Sequence, residues 1–194
     1  MNWQTATLLS TLYDYAVQNR AISSLGARAL WNYDIENLRD TIAAQDPNAL
    51  TLDIPCGGGI AVHGDRHVAA DLSRTMLRRA RRRTTSLLQT DIYALPFHPA
   101  TFDACVTYNG LHCLDDPAAA LRELARVLRP GGTLTGTTLV RGAGRHGLIT
   151  LMRRIGIFGN PGTAADLRTW LTDAGLTDIE LTPLGTVTTF TARK

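Results

Sequence analysis

The sequence predicts an α/β fold built on a mostly parallel sheet with helices on both faces. Three observations carry that prediction. Short apolar runs of strand length alternate with helical periodicities, and several of the runs end in an acidic or amide residue. One of them, Leu50-Thr-Leu-Asp-Ile-Pro-Cys-Gly-Gly-Gly59, opens directly into three adjacent glycines. Alternating strands and helices call for parallel strands joined by crossovers, and such a sheet needs cover on both faces.

At 194 residues the chain suits one domain with a full core. Hydrophobic residues make up 44% and charged residues 19%, the balance of a soluble globular protein. No apolar run reaches the length of a membrane span, and Met1-Asn-Trp-Gln-Thr5 lacks the basic-then-apolar layout of a secretion signal, so no membrane contact is expected. Cys56, Cys105 and Cys113 form an odd, scattered set, which fits reduced thiols in a cytoplasm. The net charge of +3 is local. Arg78, Arg79, Arg81, Arg82 and Arg83 cluster at the end of a predicted helix, where cations are favoured. No aromatic residues interleave with them to stack bases, so nucleic acid is not an expected partner.

Residues 3 to about 45 are predicted helical, with Leu8, Leu9, Leu12, Tyr15 and Ala16 on one apolar stripe and Ile35, Leu38 and Ile42 on another. Asp46-Pro47-Asn48 turns the chain into a first strand at about 50–54. A second strand spans 67–71, and Ser73 then caps a helix with Met76, Leu77 and Ala80 on one side. Leu87-Leu88 forms a short third strand leading to Asp91. After turns at Pro96 and Pro99, a fourth strand runs Phe102-Asp-Ala-Cys-Val-Thr107. Asp116-Pro117 starts a helix carrying Leu121, Leu124 and Leu128; Pro130-Gly131-Gly132 is expected to stop it and open a strand at 133–138. Thr163 and Asp166 cap the helix of Leu167, Trp170 and Leu171, which Gly175 ends. Strands at Thr177–Leu181 and Thr186–Ala192, around a Pro183/Gly185 turn, complete one domain over residues 1–194, with one antiparallel strand at the C-terminal end.

In open α/β sheets ligands sit outside the carboxyl ends of the strands. Polar residues fall at four such ends: Asp53, Asp71, Asp91, and Asn109 to His112. Any one acid serves equally well as a helix cap or turn residue; the set of four is harder to explain as solubility. Bare glycine backbone lets a ligand lie against amide groups, and a carboxylate closing the buried run His67-Val-Ala-Ala-Asp71 suits the two hydroxyls of a ribose. Together they propose a nucleoside-type cofactor. A metal is not expected, because Gly64 and Asp65 interrupt the spacing of His63 and His67 and no third ligand is evident.

An ordered series of motifs extends these features: Leu52-Asp-Ile-Pro-Cys-Gly-Gly-Gly59, Ala70-Asp-Leu-Ser73, Thr90-Asp-Ile-Tyr-Ala-Leu-Pro-Phe97, Phe102-Asp-Ala-Cys-Val106 continuing to Asn109-Gly-Leu-His112, and Leu121-Arg-Glu-Leu-Ala-Arg-Val-Leu-Arg-Pro-Gly-Gly132. On these residues the chain resembles the class I S-adenosylmethionine-dependent methyltransferases, over about 50–138 and more loosely beyond. The resemblance implies a Rossmann-like methyltransferase fold with a seven-stranded sheet, S-adenosyl-L-methionine as cofactor, and methyl transfer to a small-molecule substrate. It further implies that Pro55, Cys56, Gly57, Gly58 and Gly59 cradle the methionine portion and that Asp53 helps hold its amino group. Asp71 would take the ribose hydroxyls, with Leu72 on the adenine, Asp91 at its amino group and the Ile92 amide at a ring nitrogen. A base is needed only where the acceptor atom must lose a proton. His112 is the candidate, with Asn109 and Tyr108 as positioning groups; the alternative is that His112 merely caps a loop.

Two departures from the family pattern stand out. Pro55 replaces a common glycine, and Gly59 lies only 12 positions before Asp71 (71 − 59), leaving Ile60-Ala-Val-His63 room for about one helical turn. Residues 139–162, with Leu148, Ile149, Leu151, Met152 and Ile155, are expected to cover the substrate or simply pack on the sheet. The helical cap at 1–46, with Tyr13, Tyr15, Trp31 and Tyr33, would close the other side. If its apolar face lines the site, the cover selects a hydrophobic molecule. Two alternatives stay open: a non-catalytic binding or interaction protein with weakened cofactor binding, and a nicotinamide-dependent oxidoreductase. The last fits poorly, since its third glycine would fall at Val62.

Overall fold

Seven strands pair in the order β3-β2-β1-β4-β5-β7-β6. They are β1 (Thr51–Asp53), β2 (His67–Asp71), β3 (Leu87–Gln89), β4 (Phe102–Tyr108), β5 (Leu128–Leu139), β6 (Thr177–Leu184) and β7 (Val187–Arg193). β1 to β5 are parallel, and β7 runs antiparallel to both of its neighbours. The computed structural model describes residues 20–194. The apolar stripe from Leu8 to Ala16, with Tyr13, lies outside the described residues. From β1 the chain steps outward to β2 and β3, then returns to β4 on the other side of β1. That reversal creates a switch point, where the strand ends part to form a crevice.

The helices are α1 (Arg20–Trp31), α2 (Glu36–Ala43), α3 (Arg74–Ala80), α4 (Pro117–Val127), α5 (His146–Arg154) and α6 (Ala164–Asp173), with a 3-10 turn at Leu111–Cys113. Their starts follow local chemistry. Ser73 accepts the Met76 N–H, Asp116 accepts the Ala119 N–H at 2.9 Å, and Thr163 and Asp166 cap reciprocally.

Several expected boundaries move. β6 runs on to Leu184, so Pro183 pairs with Thr188 inside the strand and lies outside the expected turn. α4 ends at Val127 and β5 begins at once with Leu128, not at 133. Pro130-Gly131-Gly132 is an excursion inside β5: Leu128 pairs with Phe102, and pairing resumes at Thr133 opposite Ala104. The C-terminal residue holds it there, through Gly131 N–H to Lys194 O at 2.7 Å and Lys194 N–H to Gly132 O at 3.1 Å. Between Gly59 and His67 there are turns only, without the helical turn expected at Ile60–His63. Gly64 at φ +65 breaks the geometry immediately afterwards.

The main core lies between the sheet and α4 and α6, around Leu52, Leu121, Leu124, Leu134, Leu167, Leu171 and Phe190. A second cluster joins Tyr33, Ile35, Leu38, Ile149 and Phe158 to Leu139 and Val187, with Trp31, Tyr108 and Met152 against it. α2 and α5 therefore each contribute a residue to this cluster, beside Leu139 at the carboxyl end of β5. Within the expected cover, Ile149 is buried while Leu151 and Ile155 are exposed.

Candidate functional site

The glycine loop and Asp71 close on each other at the carboxyl ends of β1 and β2. Cys56 N–H donates to Ala70 O at 2.8 Å and folds the loop back over β2. Gly57 N–H then donates to Asp71 Oδ2 at 2.9 Å, and Ser73 N–H to Oδ1 at 2.8 Å. One carboxylate thus joins the loop to the start of α3. An ionised carboxylate offers about four lone-pair sites, so acceptor capacity remains after these two bonds. Burial pushes the Asp71 pKa up, while the Ser73 and Gly57 N–H groups pull it down.

Gly57 adopts φ +53, and a Cβ placed there would meet nothing within 4 Å, so open space faces its backbone. Leu72 is 44% exposed. With Arg74, Thr75 and Gln89 it lines a groove of about 230 Å³ beside the acid. Gly58 turns its carbonyl to Arg83 Nη1 at 2.6 Å, and Gly59 packs on Ala80. Pro55, after a cis Ile54–Pro55 bond, sits so close to Gly110 that no Cβ fits on that glycine. Cys56 is buried, and burial together with Asp53 and Asp71 raises its thiol pKa.

Asp53 lies beneath this surface, 1% exposed, with Oδ2 3.4 Å from His67 Nε2. Burial raises its pKa and His67 opposes the rise. Its charge also reaches Tyr108, whose phenol is raised first by burial. Asp91 is exposed and accepts the Tyr93 N–H at 3.0 Å, while Ile92 is buried in the main core. Asn109, at φ +55, donates its N–H to Thr137 O at 2.8 Å and accepts from Thr137 Oγ1 at 3.1 Å.

His112, the expected base, is turned inward against β5. It is 5% exposed, its ring is edge-on to Phe158 with centroids 4.7 Å apart, and Nδ1 accepts the Leu139 N–H at 3.4 Å. Burial lowers its pKa to about 3, so the imidazole is neutral near pH 7 with its proton on Nε2. A general base needs an open lone pair; here the one lone pair is engaged with β5. The sequence reading also missed the pairing of His67 with Asp53 and the contact of Gly110 with Pro55. A polar residue opening the otherwise apolar run of β2 was the signal for the first.

Residues 52–135 match the family described as "Methyltransferase domain". A demethylmenaquinone methyltransferase of Corynebacterium urealyticum is 35% identical over 65% of this chain and 57% of its own length. A malonyl-[acyl-carrier protein] O-methyltransferase of Enterobacter lignolyticus is 36% identical over 63% and 55%. The chain spans about half the length of these relatives. Among solved structures, phosphoethanolamine N-methyltransferase 2 of Haemonchus contortus, in complex with S-adenosyl-L-methionine, shares the fold at TM-score 0.75 and 16% identity, covering all of this chain and 58% of that one. A SAM-dependent methyltransferase of Thermotoga maritima does so at TM-score 0.72 and 15% identity, over 93% and 99%. The motif series and the sheet order agree with these matches: residues 52–135 match the methyltransferase-domain family, and the Rossmann-like fold of the solved structures extends around them.

Proposed function

We propose that this chain transfers a methyl group from S-adenosyl-L-methionine to a small, hydrophobic molecule. The observation that carries the reading is the bond from Gly57 N–H to Asp71 Oδ2, which makes the glycine loop and the β2 acid one unit at the switch point. The residues fit the cofactor. Asp71 keeps lone pairs for ribose hydroxyls, the Gly57 backbone borders open space, and the exposed Leu72 offers an apolar platform for a base. Gly58, Gly59, Pro55 and Cys56 shape the loop, Asp53 lies beneath it for the amino group, and Asp91 with the Ile92 amide is placed at the end of β3 for the adenine edge. When bound, the cofactor supplies a methyl group on a sulfonium, which leaves without acid help.

The chain's own task is then orientation. An in-line approach of the acceptor atom is the main requirement, and Asn109, clamped to Thr137, holds the β4 loop for it. His112 braces that loop against β5 and takes no proton. Tyr33, Tyr108, Trp31, Ile149 and Phe158 make the neighbouring cluster apolar, and the buried Tyr33 and Tyr108 hydroxyls have no partner within the described residues. Apolar walls with a few polar points suit a small hydrophobic acceptor. Relatives that act on demethylmenaquinone and on malonyl-[acyl-carrier protein] support a non-nucleic-acid substrate. Three free cysteines, two of them buried, support a reducing, cytoplasmic setting, and among the described residues no helix is long and apolar enough to cross a membrane.

A second reading, a cofactor-poor binding protein, is favoured by the missing helix after Gly59, whose N-terminal amides would otherwise face an anion. Calorimetric titration with S-adenosyl-L-methionine separates the two. Micromolar affinity, weakened roughly 10- to 150-fold (about 1.5–3 kcal/mol) by Asp71→Ala, supports the enzyme. An absence of heat at millimolar ligand supports the binding protein instead.

A further inference from the structure

We infer that His67 is a positioning residue for Asp53, and through it for the ammonium group of the cofactor's amino-acid portion; this rests on the reading just given. Thr51 pairs with His67 and Asp53 with Ala69, so the His67 ring reaches along β1 to the carboxylate at the strand's end. The pair is sealed: side-chain exposures are 1% for His67 and 2% for Asp53. A carboxylate so buried is driven toward its neutral form, which cannot hold an ammonium group. A donor at its Oδ2 opposes that drive, and His67 Nε2 at 3.4 Å is the one hydrogen-bonding partner it has among the described residues. The contact is long for a finished hydrogen bond, and such bonds commonly tighten when a site fills.

The surroundings fit this assignment. From the loop, His63 stands edge-on to His67, with ring centroids 5.1 Å apart and its own Nδ1 2.9 Å from Ala61 O. Donation to Asp53 from Nε2 corresponds to the tautomer that carries its proton on that nitrogen. The Asp53 charge also acts on Tyr108 from β4, on Asp71 from β2 and on Cys56 from the glycine loop, raising the pKa of each. His67 Nδ1 is buried without a partner, which is the state of the acceptor nitrogen in that tautomer. Without the helix that would follow the glycine loop, the turns at 54–66 carry His63 over the pair. The donor that orients Asp53 therefore comes from the foot of the adjacent strand.

The test compares two ligands on the purified chain by calorimetry: S-adenosylhomocysteine, which has the amino-acid portion, and 5′-methylthioadenosine, which lacks it. His67→Leu should weaken the first at least tenfold and the second less than twofold. His67→Gln, whose amide N–H replaces the Nε2 donor, should restore affinity for the first to within about threefold. In Asp53→Asn protein the His67→Leu change should have no further selective effect. Equal weakening of both ligands, or none, overturns the inference while leaving the cofactor reading intact. A wild-type chain that binds neither ligand overturns both. Nitrogen-15 NMR of the wild-type imidazoles needs no variant: a protonated Nε2 and bare Nδ1 on His67 are expected, and a bare Nε2 refutes the donor role.

Discussion

Protonating His112 removes the reason for its burial. Its pKa is about 3 in the fold against 6.5 for an ordinary histidine. Between those values the unfolded chain binds the extra proton, so stability rises with pH across this window and is lost as pH falls from about 6.5 toward 3. Asp53 and Asp71 work in the opposite sense, because burial raises their pKa values and their protonated forms favour the fold at acid pH. His112→Asn retains an acceptor near Nδ1 for the Leu139 N–H but does not titrate. Urea unfolding at pH 7 and pH 5 should show the wild type losing up to about 2 kcal/mol more than this variant. Equal losses would show that the imidazole is not held neutral. The residue types at the strand ends were legible in the sequence, but their states were not. Asp53, Asp71 and Asp91 read alike along the chain, and only their surroundings separate a histidine-paired buried acid, a loop-tying acid and an exposed turn acid.

Helix starts were readable because caps are local: Asp116, Ser73 and Thr163 bond backbone groups within three residues of themselves. Thr163→Ala should therefore cost about 1 kcal/mol in urea unfolding, and a change under a few tenths would mean that Asp166 alone caps α6. Pro130-Gly131-Gly132 could not be read the same way. Its placement inside β5 depends on pairing with Lys194, far along the chain. The contact of Gly110 with Pro55 is likewise non-local, since it joins the loop after β4 to the loop after β1. Gly110→Ala forces a methyl into the proline ring, with an expected cost of about 1–3 kcal/mol. Thermal unfolding checks this; an unchanged midpoint would mean that the two loops separate freely.

The two hydrophobic clusters differ in what they anchor. The main one spans the sheet, α4 and α6, whereas the second holds α2 and α5 near the mouth of the crevice. α5 contributes one fully buried residue, Ile149, and is preceded by an exposed run at 141–145. Local opening free energy follows buried contact. Amides of α5 and its leading loop should exchange with deuterium well before those of β1, β4 and β5, as read by exchange mass spectrometry. Equal protection would show that the cover and the sheet unfold as one unit.

The alternation of strands and helices, the mostly parallel sheet and the family resemblance were all present in local patterns: apolar runs of strand length, capping residues, and glycines after an acid. These follow from interactions within a few residues, which a linear reading captures. Three-dimensional packing decided the rest. It turned His112 inward, set His67 beneath Asp53, drew the glycine loop onto Asp71 and pressed Pro55 against Gly110. Each of these joins groups far apart in the chain, and burial and pairing across that distance set the charge and direction of a side chain, which residue order alone does not contain.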